Sequence, residues 1–569
     1  MVPIAVALGV AAAIFGLVCL PRYGITFDEP ALFYSGDRTL FWLGHRDVPG
    51  ALDFLSRVEP PGFHTAFERW PLWEDAVHYP ILAAFVSSLA SFFFHDLLGA
   101  MGVVDGHQAG LVLLHAASLA GFCIYASKLL GKEAGILAAV FLALFPCALG
   151  HSFNNAKDWP CAQIYGLSIL AFGVGVIEKK PRHVVVASVL CGLALACKLN
   201  GAFIFPTLMA WLPFAYGLLY WRRGRVAPIL AAVLLGPYLA VSIFLLTWPW
   251  LMHGGAAESW KHGSDYIAYY IANGGSTRPG WTIVPLKCVV FMTPPLVLAC
   301  ALFQLVVGWR NGPKATAMLL LLVIWMGLPI LRVAVPKSRF YDANRHFIEY
   351  VPALCCIAGA GASRILALLR RVSTSAFAKV GPRSEHVASA LVGLIGLVTL
   401  LVPIIQYHPF ESAYFNFMAG GLGGAQHDGL LAQRMRDETG TAGTEGDYWF
   451  SSLRDGMKDL AAVTKDGDPI AVCAAGWGQV RPNLPEGRTF EILASEDVRA
   501  DAAFLYLSPR ELTCKWKRVR ELERSRPVVK RVERDGGLIY EILGPRGGAL
   551  HEPVSGENWY TRNEAWAFK

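Results

Sequence analysis

Long apolar runs separated by short charged links dominate the chain. Residues 2–20 form an uncharged apolar run with no basic leader before it and no small-residue cleavage site after it. That run reads as an anchor rather than a removable signal. Further apolar runs lie at 108–130, 133–150, 159–177, 183–197, 199–220, 227–250, 288–308, 316–334, 347–369 and 386–406. Each is near the length that crosses a bilayer core as a helix. One more stretch, 80–101, is apolar but carries His95 and Asp96.

Parity and charge decide how that stretch lies. If 80–101 does not span, five short links fall on one side: Lys128 and Lys132; Lys179, Lys180 and Arg182; Arg222, Arg223 and Arg225; Arg310 and Lys314; and Arg370, Arg371, Lys379 and Arg383. They are opposed only by Glu133, Glu178 and Glu385. The positive-inside rule makes that side cytoplasmic, whereas a spanning 80–101 would put every one of these cations outside. The stretch therefore reads as a helix along the outer interface, with about eleven true spans. The N-terminus is then inside. The loop 21–79, the segment 151–158, the loops 251–287 and 335–346 and everything after 406 are outside.

After the last apolar run the pattern changes. Short β-rich runs at Pro469–Ala474, Thr489–Leu493, Ala503–Leu507 and Leu538–Leu543 accompany an amphipathic segment through Leu453, Met457, Leu460 and Val463. The expected architecture is a polytopic α-helical membrane domain over 1–406, with 21–107 as its first extracytoplasmic loop, and a small extracytoplasmic α/β domain over 407–569. The Gly420–Gly424 run between them reads as a flexible link.

Composition agrees with a chain built for lipid. It is 54% hydrophobic and 16% charged, with a mean hydropathy of +0.42, whereas soluble domains carry about 25% charge. That excludes a soluble enzyme, a disordered chain and a fibrous one. A net charge of +7 over 569 residues gives no sign of nucleic-acid binding. Most of the twelve cysteines sit in apolar runs, where they act as small hydrophobes. There is no Cys-x-x-Cys pair. Cys473 and Cys514 stand in the polar C-terminal region, where an oxidising compartment would allow them to pair.

Four polar clusters then stand out on the outer side. Asp28 and Glu29 follow the first run in Tyr23–Pro30, and adjacent carboxylates at a membrane surface are costly unless partnered. Read blandly, they are a solvated loop pair. His151–Pro160 holds His151, Lys157 and Asp158, with Asp158 near a helix start and Pro160 in its first turn. Lys198 interrupts an apolar hairpin and must either snorkel or meet an anion. The fourth cluster, Lys337–His346, includes Arg339, Tyr341, Arg345 and His346 and runs against the positive-inside trend, which favours an anionic ligand such as a lipid phosphate. Carboxylates and cations converging on one membrane face suit a general base acting on an acceptor while cations take a departing phosphate.

These residues resemble the GT-C class of membrane glycosyltransferases, within it the protein O-mannosyltransferase and lipid A aminoarabinose transferase group. The likeness rests on the Asp-Glu opening of the first outer loop, the His151–Pro160 run, Thr247–Trp250, Tyr341–Phe347 and Tyr407–Asn416. It covers most of residues 1–450. His78-Tyr79-Pro80 stands where such enzymes carry His-Pro-Pro, and Trp281–Pro285 departs from the Pro-Trp-His-Tyr-Pro of that branch.

The resemblance implies a bacterial inner-membrane enzyme with its active site outside. It would move a sugar by inversion from a polyprenyl-phosphate donor to a lipid, glycan or protein acceptor. Carried over, Asp28 is the general base and Glu29 its structural neighbour, while Asp158 orients the acceptor or holds a cation. Lys198, Arg339 and Arg345 receive the donor phosphate, and Lys157, His78, His151, Tyr341 and His346 contact substrate. Asp28 with Asp158 would suit Mg²⁺ or Mn²⁺, whereas His78 or His151 would favour Zn²⁺. A lipid-linked or small-solute transporter is the rival reading. No inverted repeat or paired mid-membrane charge supports it.

Overall fold

The computed structural model describes residues 1–26, 28–44, 80–219, 227–248, 251, 255–274, 278–310, 312–338, 342–377, 382–427, 430, 446–447, 449–472, 480, 483, 491–493, 504–508 and 526–545. His78, Arg339 and Tyr341 lie outside these residues, as do Cys473 and Cys514.

The membrane part is helical. In chain order it comprises α1 Val2–Cys19, α2 Glu29–Gly44, α3 Leu82–Ser91, α4 Val103–Leu130, α5 Lys132–Ala143, α6 Pro146–Asn154, α7 Asp158–Ile177, α8 Pro181–Cys197, α9 Ile204–Leu219 and α10 Ala227–Leu246. It continues with α11 Ala256–Gly274, α12 Val284–Phe291, α13 Pro295–Val307, α14 Gly312–Ala334, α15 Tyr350–Phe377 and α16 Pro382–Tyr407. Among the described residues, seven helical segments are long and apolar enough to cross a membrane. Two bent pairs bring the number to nine if each crosses as one span. The shorter apolar helix α8 and the apolar part of α16, Leu391–Tyr407, stand where the sequence predicts two more.

Both bent pairs break where the sequence reads a continuous run. Between α5 and α6 the axis turns by 63° at Phe145-Pro146, and between α12 and α13 by 111° at Pro294-Pro295. Proline removes a backbone donor and drives the residue before it toward extended geometry, so the helix ends there. One consequence is that His151–Asn154, expected in a link, are the last residues of α6.

The centre of the bundle is α7, whose apolar window is 94% buried. It packs against α4 and α8, while α15 packs against α5 and α13. Small residues set the spacing of α15. A methyl group on Gly359 would lie 2.5 Å from the Ala134 carbonyl oxygen of α5, and one on Gly361 would collide with the Cys300 carbonyl of α13. Gly361→Val is expected to lower stability by roughly 1–3 kcal/mol through overpacking, read as a lower melting temperature in detergent.

Residues after 406 form α17 Gly421–His427, α18 Leu453–Val463 and a five-stranded mixed sheet. Its strands are β1 Pro469–Val472, β2 Glu491–Leu493, β3 Phe504–Leu507, β4 Val528–Arg534 and β5 Gly537–Leu543, in the order β2-β1-β3-β5-β4. The first three are parallel, and β5 with β4 adds an antiparallel hairpin. β4 escapes the sequence pattern because it is an edge strand carrying Lys530, Arg531, Glu533 and Arg534, charges that protect a sheet edge from further pairing. The glycine run also differs from expectation. Gly423 donates its N–H to the Asp535 carbonyl at 3.1 Å, and a methyl there would lie 2.7 Å from Gly536. Those glycines are a packing surface for the β4–β5 turn, not a flexible link.

Candidate active site

Asp28 and Glu29 sit side by side and do different work. Glu29 opens α2 and is fully buried. Its Oε2 accepts from the Thr26 N–H at 2.7 Å and the Thr26 hydroxyl at 3.2 Å, and Gln108 Nε2 donates to both carboxyl oxygens at 3.3 Å. Burial pushes its carboxyl well above the usual carboxylate range. Glu29 therefore pins the loop that presents Asp28. The middle of α2 is pinned likewise, by Asp37 to His107 of α4 at 2.9 Å.

Asp158 is placed by local chain chemistry. Asn155 Oδ1 accepts from the backbone N–H groups of Lys157 at 3.2 Å and Asp158 at 2.7 Å, the short polar side chain turning the chain into α7. Pro160 then sits in the first helical turn, a favoured place for proline. The close fit of this segment extends backwards: a methyl on Gly150 would lie 2.8 Å from the Ser412 nitrogen.

The two aspartates meet three cations from distant parts of the chain. Lys157 Nζ lies 2.6 Å from Asp28 Oδ2. Arg345 Nη1 bridges both carboxylates, 3.0 Å from Asp28 Oδ2 and 3.2 Å from Asp158 Oδ2. Lys198 pairs with the other oxygen of Asp158. Arg345 Nη2 reaches Asp342 Oδ2 at 2.6 Å and His346 Nε2 at 3.2 Å. Asp342 and Ala343 have φ of 58° and 53°, a backbone region non-glycine residues seldom enter, and this tight turn brings Asp342 back onto Arg345.

Three carboxylates thus face three cations, nearly all of them withdrawn from solvent. The exception is Asp28, whose side chain is 21% exposed, against 2% for Asp158 and 1% for Asp342. Burial alone would raise the Asp28 carboxyl. Lys157 and Arg345 outweigh it and hold the group below its ordinary value of 3.8. Burial, then the neighbouring Arg345, pushes His346 well below the usual imidazole range, so it is neutral at pH 7.

Of the sequence candidates, the structure gathers Asp28, Lys157, Asp158, Lys198, Arg345 and His346 into this one cluster. His151 stands beside it: Asn155 Nδ2 lies 3.2 Å from His151 Nδ1 and 3.4 Å from Asp158 Oδ2. Asp342 is a member that sequence reasoning passed over, although it lies within the Lys337–His346 cluster. Trp449 is a second. Its ring lies under the Arg345 guanidinium at 4.6 Å and meets His151 edge-on at 5.6 Å. In the sequence, Asp447-Tyr448-Trp449 offers either a ring to stack on a sugar or, more simply, a buried aromatic of the small domain. Behind Lys198, Asn200 donates to Glu349 at 2.8 Å, and Glu349 is held by Arg332 at 3.4 Å. Tyr270 of α11 donates to Asn200.

A divalent cation needs carboxylate oxygens that are free to ligate it. Here the guanidinium of Arg345 already bridges Asp28 and Asp158, and among the described residues no three His, Cys, Asp or Glu side chains are arranged to hold one metal ion. Among the described residues this donor set fits side-chain cations; His78, which the sequence also offers for Zn²⁺, lies outside them.

No family model matches the chain, and no curated protein matches it. Solved structures do. It is similar to ArnT from Cupriavidus metallidurans bound to undecaprenyl phosphate, at 15% identity and a TM-score of 0.45 over 96% of this chain and 98% of that one. It is similar to the Archaeoglobus fulgidus oligosaccharyltransferase in its apo form, at 10% identity and a TM-score of 0.45 over 88% of this chain and 69% of that one. A third likeness is to the arabinofuranosyltransferase AftD from Mycobacteria, at 16% identity and a TM-score of 0.36 over 94% of this chain and 39% of that one.

Proposed function

We propose that the protein is an inverting glycosyltransferase of the bacterial inner membrane that takes a sugar from a polyprenyl-phosphate donor at the extracytoplasmic face. The observation that carries this reading is the asymmetry of the cluster: three cations share a buried acidic site in which Asp28 alone keeps an exposed edge. A leaving phosphate needs the cations, and an acceptor needs the open carboxylate. The Asp28–Arg345 cluster and the Tyr341–Phe347 resemblance both support it.

In the proposed displacement an acceptor hydroxyl or amine attacks the anomeric carbon from the face opposite the phosphate. The new bond forms as the anomeric carbon–oxygen bond to phosphate breaks. The electron pair leaves with the phosphate oxygen, and its charge is shared by Lys157, Lys198 and Arg345, with Arg339 as a further candidate. The acceptor proton passes to Asp28. Attack from the opposite face inverts the anomeric configuration. In the resting site Lys157 and Arg345 suppress the basicity of Asp28. A donor phosphate competes for the same two cations, so donor binding restores a base as it presents the leaving group.

The pH dependence follows from that pairing. A carboxyl lowered by its partners stays ionised, and keeps its ion-pair stabilisation, at all pH above its ordinary value, and loses both only as pH falls through its lower folded-state value. The acid limb of kcat/KM, which reports the free enzyme, is expected below pH 3.8. Lys157→Met should move it upward, a shift readable in a pH–rate profile of the two proteins.

The functional test uses purified protein in nanodiscs with polyprenyl-phosphate-linked hexoses and pentoses offered one at a time, following release of polyprenyl phosphate. Release from one donor is expected, stimulated by the correct acceptor. A protein that binds none of these donors contradicts the transferase reading and favours the transporter.

A further inference from the structure

Trp449 brings the C-terminal domain into contact with the catalytic cluster. Trp449 is 2% exposed, and its indole face lies 4.6 Å from the central carbon of the Arg345 guanidinium. The same ring meets His151 edge-on at 5.6 Å. Arg345 has partners on both of its amino groups: Asp28 and Asp158 on one, Asp342 and His346 on the other. Those contacts fix directions around the guanidinium edge, and an aromatic face adds a contact of a different kind, against the flat surface of the cation.

The surroundings of Trp449 are built to hold it there. Asp447 accepts from the Ser451 N–H at 2.9 Å and the Ser452 N–H at 2.7 Å, closing the turn that carries the tryptophan. Phe450, next in the chain and fully buried, has φ of 66°. A bulky residue there is strained, and such strain persists only where the surrounding structure imposes it. The turn is tied to the segment that leads into Asp28, where the Gly24 N–H donates to the Ser451 carbonyl at 3.3 Å; elsewhere in the domain, Asn483 Oδ1 accepts from the Ile25 N–H at 3.2 Å. A methyl on Gly24 would lie 2.9 Å from that Ser451 oxygen, so only glycine permits the approach. Arg454 with Asp105 of α4 at 2.6 Å, and the half-exposed Arg22 with Asp455 at 3.3 Å, tie the first turn of α18 to the membrane part.

We infer that Trp449 is a positioning residue: the C-terminal domain docks so that this indole holds the Arg345 guanidinium in the plane that serves Asp28 and Asp158 together. The domain is then part of the active site, not an appendage to it. This inference rests on the function proposed above, and its test separates the two.

The experiment uses full-length Trp449→Leu and Trp449→Phe in nanodiscs beside the wild type. Leucine fills space without an aromatic face, and phenylalanine keeps a smaller one. With the donor that supports wild-type release of polyprenyl phosphate, Trp449→Leu is expected to lower kcat 10- to 100-fold, leave KM within about threefold, and shift the acid limb of the pH–rate profile. Trp449→Phe should recover most of the rate. A folded Trp449→Leu protein with wild-type kcat and pH profile overturns the inference and leaves the transferase reading intact. If the wild type releases nothing from any donor, the transferase reading fails by itself. The positioning claim is then judged by a thermal-unfolding double-mutant cycle of Trp449→Leu with Arg345→Gln: non-additive melting shifts support it, and strictly additive shifts overturn it.

Discussion

Asp28→Asn is expected to leave the protein folded and its donor affinity within a few-fold of wild type, while turnover falls by about 10²–10⁴, the usual contribution of a positioned general base. Asparagine keeps the shape of the side chain and still accepts hydrogen bonds from Lys157 and Arg345, which approach Asp28 Oδ2 at 2.6 and 3.0 Å. What it loses is the capacity to take a proton. Donor binding should survive because Lys157, Lys198 and Arg345 are untouched, and Lys157 is released from its carboxylate partner. Equilibrium binding of a polyprenyl-phosphate sugar and single-turnover release, measured on one preparation, check the two halves separately. Equal loss of binding and turnover would make Asp28 a structural anion only.

Arg345→Gln carries the largest expected effect on stability. The guanidinium is the shared partner of Asp28, Asp158 and Asp342, and its own side chain is 4% exposed. Removing it leaves three carboxylates with two lysines, and removing one partner of a buried ion pair costs about 3–5 kcal/mol. Melting temperature in detergent should drop accordingly, and release of polyprenyl phosphate should fall below detection. Arg345→Lys tests geometry rather than charge. A lysine is a point cation and cannot bridge two carboxylates with one amino group while holding a third with another, so it should restore part of the stability and little of the rate. Full activity in Arg345→Lys would contradict the bridging role.

Much of this arrangement is legible in the chain because it is local. Asp158 and Pro160 mark the start of α7, and the apolar runs mark most of the bundle. The pairing of Asp28 with Lys157 and Arg345 is not local, since the partners lie 129 and 317 residues away. No periodicity encodes such a meeting, although the accumulation of charge on one membrane face announces that some meeting occurs. Trp449 was hidden for a related reason: an aromatic beside Asp447 reads as small-domain core until the docking of that domain is known. One misreading comes from residues with two physical uses: glycines at 420–424 give either flexibility or close approach, and here Gly423 serves approach to the Asp535–Gly536 turn. The strand β4 goes unread because its charges break the apolar pattern, although such charges also mark a sheet edge. The breaks at Pro146 and Pro294-Pro295 lie inside otherwise continuous apolar runs, where hydropathy outweighs the backbone chemistry of proline in a span assignment.

The central claim is a single displacement in which Asp28 takes the acceptor proton while Lys157, Lys198 and Arg345 receive the phosphate. The most direct test is the anomeric configuration of the product, read by NMR coupling constants on a sugar transferred from a donor of defined configuration. The account predicts inversion in the wild type and no product from Asp28→Asn. Retention of configuration, or transfer that proceeds at the wild-type rate without the Asp28 carboxylate, would contradict it.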